Sequence, residues 1–140
     1  GDALFSLRCD CGSQLEMALK KIASEEAGLI IYMAQEGRGI GLGNKIKAYE
    51  LQDEGMNTVE ANESLGFEAD ERNYSICGEI LSSMNIASVR LMTNNPSKIE
   101  GLIDSGIDVV DRVSIEVDAS EHNKDYLDVK ADRMGHLFKK

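Results

Sequence analysis

One proline, three cysteines, a deficit of positive charge and no long apolar run define what this chain does without. A single Pro beside 13 Gly is not the composition of a disordered linker. No apolar stretch approaches the roughly 18 residues that a membrane-spanning helix needs, and nothing at the start resembles a signal peptide. Three cysteines are an odd count, so no disulfide framework is expected, and a reducing, cytoplasmic setting is the default. Fifteen Lys and Arg face 25 Asp and Glu, which leaves a net charge of −10. That balance lacks the positive field with which nucleic-acid binders neutralise phosphates. A small phosphorylated ligand remains open, because a pocket needs only local Arg, Lys and helix N-termini.

What is present is ordinary for a globular domain: 140 residues, 42% hydrophobic and 29% charged. The length suits one domain with one core. The chain opens on Gly1-Asp2 without an initiator Met, as expected of a piece of something longer.

Ser13 and Glu16 form an S-x-x-E capping box ahead of Leu15, Ala18, Leu19 and Ile22, which predicts a helix over 13–26 closed by Gly28. Residues 28–33 read as a short buried strand. A Gly-rich loop then leads to Asn44 as the cap of a helix to about Glu54. Residues 56–69 lack a period and read as loop with a helical turn. Asp70 is expected to cap a helix through Tyr74, Cys77, Ile80, Leu81 and Met84, and 87–92 is a strand. Asn95 and Pro96 are placed as N-cap and first residue of the next helix, which Gly106 ends. Alternation over 109–117 predicts a half-exposed strand, and 123–134 a last helix. Helices alternating with strands imply an α/β layered domain, with ligands at the strand ends where the polar segments cluster.

Four segments could carry chemistry. Cys9 and Cys11 precede a helix whose positive end favours the thiolates that metals bind. They supply two donors where catalytic zinc takes three, and Cys77, His122 and His136 are not evident partners. Spacing alone leaves a metal pair and two structural cysteines equally open. The loop QEGRGIGLGNK (35–45) permits close backbone approach, and its Arg38 and Lys45 can meet anions. It matches neither the P-loop nor the dinucleotide fingerprint. Glu36 could accept paired donors from a purine such as guanine. In ADER (69–72), Asp70 could be a general base and Arg72 a phosphate contact, against a plainer role in capping and surface pairing. In TNNPSK (93–98), Lys98 sits in a first helical turn, where a cation opposes the helix dipole and hints at an anionic partner.

Taken together, GDALFSLRCDCG, QEGRGIGL-NKI-AY, TVEAN-LGF-ADER, VRLMTNNPSK and YLDVKA-RMGHL resemble the GTP cyclohydrolase II family, in its order and spacing, over essentially the whole chain. The resemblance implies a layered α/β sandwich with a mixed sheet flanked by helices, forming one catalytic domain over 1–140 truncated at its N-terminus. It implies opening of the GTP imidazole ring, with release of formate and pyrophosphate and a diaminopyrimidinone ribosyl monophosphate as product, the first step of riboflavin biosynthesis. By motif, Cys9 and Cys11 match two of three zinc ligands, Asp70 the proton acceptor and Arg72 the arginine that attacks the α-phosphorus to form a transient guanylyl-enzyme link. A guanidinium with a pKa above ~12 is a poor nucleophile, so electrostatic stabilisation is the plainer role for Arg72. Tyr49 matches an active-site tyrosine, where spacing alone would make it a core residue. Gln14, Glu36, Gly37, Arg38, Thr58, Thr93 and Lys98 match GTP-contacting positions, and magnesium accompanies the phosphates.

The family's Arg-x-x-Ser-Glu-Cys segment, with the third zinc cysteine, is expected upstream of Gly1. The chain as given is therefore expected to hold zinc weakly and to turn over GTP poorly. A homodimer in the cytoplasm, with GTP as substrate and neither nucleic acid nor membrane as partner, completes the expectation. The alternative is a non-catalytic nucleotide-binding or interaction module on the same fold. Retention of Cys9, Cys11, Tyr49, Asp70 and Arg72 speaks against it.

Overall fold

Apolar residues spaced three and four apart make most of the elements helical, and two short runs, SVRLM and the Val-rich DVVDRV, make the sheet. The computed structural model describes residues 9–116. In chain order it holds α1 (Cys11–Ala23), a 3-10 turn (Glu36–Gly39), α2 (Gly41–Asp53), α3 (Thr58–Ser64), α4 (Ser75–Ser83), β1 (Ser88–Met92), α5 (Pro96–Asp104) and β2 (Asp108–Val113). The fold is α/β, and its sheet among the described residues has two parallel strands. The helix expected over 123–134 lies outside the described residues.

The β1–α5–β2 unit is the centre of the described fold. Leu81, Leu102 and Ile107 form its buried core, against which Ile31, Cys77, Ile86, Val89, Leu91 and Val109 pack. Burying such side chains is worth about 1.5–3 kcal/mol each. Helix α4 lies against α5, and α5 against β2. The α4–α5 approach is close: a Cβ on Gly78 would fall 2.3 Å from the Cβ of Ser105.

Several expected boundaries move for identifiable reasons. Helix α1 starts at Cys11, ahead of Ser13, and Asp10 at its N-cap makes no side-chain cap. The Asp10 carboxylate accepts from Gln14 Nε2 instead, while the Gln14 amide donates to the Asp10 carbonyl at 2.9 Å. Glu16, expected in a capping box, pairs with Lys20 at 2.6 Å. Residues 28–33 pair with no strand among the described residues, although Ile31 reaches the core. Strand β2 matches Val89 to Val109 but Arg90 to Asp111, so Val110 bulges and is 60% exposed. The bulge shifts the inward phase, which is why a strict alternation does not describe this strand.

The segment 56–69 contains a full helix, α3. Its N-cap Asn57 accepts from the Val59 and Glu60 amides at 2.9 and 3.1 Å, and the Glu60 carboxylate accepts from the Asn57 amide at 2.9 Å. The N-x-x-E capping box Asn57–Glu60 was the signal that could have found it. The turn into α5 follows expectation: Asn95 accepts from the Ser97 amide at 3.0 Å and Pro96 opens the helix. No helix among the described residues is long and apolar enough to cross a membrane.

Candidate functional site

The Gly-rich loop is built on left-handed backbone. Gly37 and Arg38 take φ of 64° and 60°, and Gly39 takes 97°. Of these three consecutive residues the two glycines take positive φ without steric cost, whereas Arg38 does not, and its conformation persists only where neighbours hold it. The neighbours here are residues 71–73. Gln35 Nε2 donates to the Asn73 carbonyl at 2.8 Å, and the Asn73 amide donates to Gln35 Oε1 at 3.0 Å. The Glu71 amide donates to the Arg38 carbonyl at 2.9 Å. A Cβ on Gly39 would lie 2.9 Å from the Glu71 carbonyl carbon, so glycine is what lets the two segments touch. The QEGRG and ADER motifs are thereby one structural unit.

Asp70 does not cap α4, which starts five residues later at Ser75. Its carboxylate accepts instead from the Arg72 side chain, at 2.7 Å from Nε and also from Nη2, and from the Arg72 amide at 3.1 Å. Burial raises the Asp70 pKa, but the Arg72 hydrogen bonds and charge, with a smaller pull from Arg38, outweigh it and hold the carboxyl below its usual range. Asp70 is thus a carboxylate at neutral pH.

Beside this pair is a small cavity of about 30 Å³ lined by Gly37, Arg38, Lys45, Tyr49 and Thr58 among others. That volume accommodates about one water. Both Nη atoms of Arg38 are buried and have no hydrogen-bond partner among the described residues. A buried guanidinium in that state is costly unless an anion meets it. Lys45, expected to face an anion, is buried and pairs with Glu36 Oε1 at 3.0 Å; the same oxygen accepts from the Gly37 amide at 3.0 Å.

A second, larger cleft of about 650 Å³ is lined by Ile30, Ile31, Tyr74, Cys77, Met92 and Lys98 among others. Tyr74 joins it to the Asp70–Arg72 pair, since the Arg72 guanidinium lies 5.7 Å from the Tyr74 ring centre. Burial first, and the Asp70 and Cys77 charges with it, push the Tyr74 phenol up to about 12 against the pull of Arg72. A folded pKa raised above the ordinary phenol value of 10.0 favours the folded state below that pH, and this contribution is lost as pH rises to about 12. We expect a phenolate absorbance step near pH 12 that Tyr74→Phe removes; a step unaltered by the substitution would refute the assignment.

The remaining candidates divide. Thr93 is buried at the end of β1, where its Oγ1 accepts from the Asn95 amide at 3.0 Å. Cys9 is buried and Cys11 half-buried, on either side of Asp10, with Gln14 one turn into α1. None of these three lines either cavity, although Ala18, Lys21 and Ile22 of the same helix line the larger cleft. Helix α1 is tied down by Lys21 Nζ donating to the Ser114 carbonyl at 2.9 Å, and by the following Glu25 pairing with Arg90 at 2.7 Å. The two thiols have the donor chemistry that zinc takes. No group of three potential ligands forms among the described residues. Burial pushes the Cys77 thiol up, with Lys98 opposing, so Cys77 stays protonated among core side chains and is a poor third ligand.

Two buried guanidinium nitrogens without a partner among the described residues, beside an ion-paired carboxylate and an open cleft on an α/β scaffold, are features suited to an enzyme that takes an anionic ligand. Residues 1–114 match the family model described as GTP cyclohydrolase II. The chain is 59% identical over 138 residues to the GTP cyclohydrolase-2 of Buchnera aphidicola from Schizaphis graminum, covering 99% of this chain and 70% of the relative. It is 58% identical to that of Hahella chejuensis, covering 99% and 67%, and 56% identical to that of Escherichia coli O9:H4, covering 100% and 71%. The chain belongs to the GTP cyclohydrolase II family.

Proposed function

We propose that this chain opens the imidazole ring of GTP, releasing formate and pyrophosphate to leave the diaminopyrimidinone ribosyl monophosphate from which riboflavin synthesis starts. The observation that carries this is the pair of unpartnered, buried Nη atoms of Arg38, held against the Asp70–Arg72 pair by the 35–39 and 71–73 hydrogen bonds. An anionic nucleotide satisfies that guanidinium. Glu36 takes the guanine donors, Gly37, Arg38 and Thr58 are nucleotide contacts, and Tyr49 hydrogen-bonds near the reacting ring. Gln14, Thr93 and Lys98 are further contacts, with Lys98 and Arg72 opposite phosphate charge. Arg72 acts electrostatically: a guanidinium is a poor nucleophile, and the bidentate pairing with Asp70 fixes where its charge sits. Asp70 accepts the proton once substrate loosens that pairing.

Zinc, held by Cys9 and Cys11 with a third ligand from outside the described residues, supplies hydroxide at neutral pH when bound. Magnesium accompanies the phosphates. The whole domain is a layered sandwich whose two described strands extend into a mixed sheet, and it acts as a cytoplasmic homodimer.

Formate release, with the product mass, tests the reading on zinc-supplemented protein. We expect formate and pyrophosphate in equal amounts, and Asp70→Asn to lower turnover by about 10²–10⁴ while nucleotide binding persists. Nucleotide binding without formate release by the zinc-loaded protein would instead support a non-catalytic module.

A further inference from the structure

We infer that Lys45 is a positioning residue that sets the guanine preference of this site, acting through Glu36 and Tyr49 and touching no substrate itself. The inference rests on the proposed reading of Glu36 as the carboxylate that meets guanine. Lys45 is 8% exposed, a rare state for a lysine, and it lies one helical turn before Tyr49 on α2. Its ammonium donates to Glu36 Oε1 at 3.0 Å and sits 5.6 Å from the Tyr49 ring centre. One buried charge therefore contacts two of the groups expected to face the purine.

The geometry explains why a lysine is kept here. Glu36 opens the 3-10 turn whose next two residues are left-handed, so its own backbone does little to aim the carboxylate. The Gly37 amide and Lys45 converge on Oε1 from two directions and fix the plane of the carboxylate. The pair is charge-assisted and shielded from water, with side-chain exposures of 10% for Lys45 and 27% for Glu36, so solvent competes weakly for it. The ammonium also anchors the Tyr49 ring by a cation–π contact. A carboxylate aimed in this way discriminates between purines by whether the ligand presents N–H donors at the edge it faces.

Equilibrium binding of GTP against inosine triphosphate, which lacks the exocyclic amine, separates the two levels of inference. The wild-type chain is expected to prefer GTP by roughly tenfold or more, because a site built for donors rejects the analogue lacking one. Absence of this preference in the wild type would overturn the guanine reading itself. Given the preference, Lys45→Met should bring the two affinities within about threefold while affinity for inosine triphosphate stays near wild type, and Lys45→Arg should restore part of the gap. In a Glu36→Gln background, Lys45→Met should have no further effect on the ratio. A folded Lys45→Met protein that keeps the wild-type ratio, or one that loses both nucleotides equally, would overturn the positioning role. Should Lys45→Met not fold, Lys45→Gln, which removes the charge and keeps a polar group, decides: a folded Gln variant with the full wild-type GTP preference overturns the inference, and one in which the preference narrows supports it.

Discussion

Gly39→Ala is expected to destabilise this protein by about 3 kcal/mol and to weaken nucleotide binding with it. Two costs combine. Gly39 has φ of 97°, in the region that L-residues rarely adopt, and this contributes roughly 1–2 kcal/mol. The new methyl would also lie 2.9 Å from the Glu71 carbonyl carbon and Cβ and 3.0 Å from its oxygen. Much of that surface is backbone, which cannot swing aside as a long side chain does, so overlap adds about 1–3 kcal/mol. The protein can relieve the overlap only by parting the 35–39 loop from residues 71–73, which breaks the Glu71-to-Arg38 and Gln35–Asn73 hydrogen bonds. Arg38 would then leave the Asp70–Arg72 pair, so stability and nucleotide affinity should fall together. Urea unfolding and nucleotide titration on the same variant check this. A midpoint unchanged within error would show that the two segments do not depend on each other.

Asn94→Ala should cost a similar amount, about 3 kcal/mol, at a position the sequence marks only as part of a turn. Asn94 is 3% exposed and uses its amide at both ends. Its Oδ1 accepts from the Ile115 amide at 3.1 Å, the Ser114 hydroxyl at 3.2 Å and Arg112 Nη1 at 3.2 Å, while Nδ2 donates to the Ile115 carbonyl. Alanine strands the buried backbone amide and carbonyl of Ile115 without a substitute. Each such group costs about 1–3 kcal/mol when left unsatisfied, well above what the lost hydrogen bond contributes on average. Asn94→Asp is the control. It keeps the acceptor for Ile115 and Arg112 but loses the donor, so it should retain part of the stability. Equal losses in the two variants would mean that the acceptor contacts contribute nothing. Since Asn94 joins Thr93 to the chain leaving β2, the Ala variant should also disturb the start of α5, where Lys98 sits.

The local features of the chain were legible without the fold. Asn95 and Pro96 declare a helix start because side-chain capping and a fixed proline φ act within three residues. The Cys9–Cys11 pair, the glycine loop and ADER were visible as separate segments for the same reason. The structure departs from the local reading where a charged side chain, near or far in sequence, outcompetes a backbone role. Asp70 looked like a cap, yet the charged Arg72 side chain claimed its carboxylate. Lys45 does meet an anion as its charge suggests, but the anion is the Glu36 carboxylate of the same chain. The inward phase of β2 was lost to a bulge that depends on pairing with β1.

By itself the sequence determined which residue types were available: thiols before a helix, a loop tolerant of positive φ, and cations and carboxylates in short motifs that carry the family resemblance. Tertiary structure decided which of them meet. Residues 35–39 and 71–73 are far apart in sequence, and only the fold brings the Gln35–Asn73 and Arg38–Glu71 hydrogen bonds together. Burial then decided charge and partnership, because a guanidinium, an ammonium or a carboxylate taken out of water must find an opposite group or wait for a ligand. Asp70 with Arg72 and Lys45 with Glu36 pair within the described residues, and the Arg38 Nη atoms have no hydrogen-bond partner there.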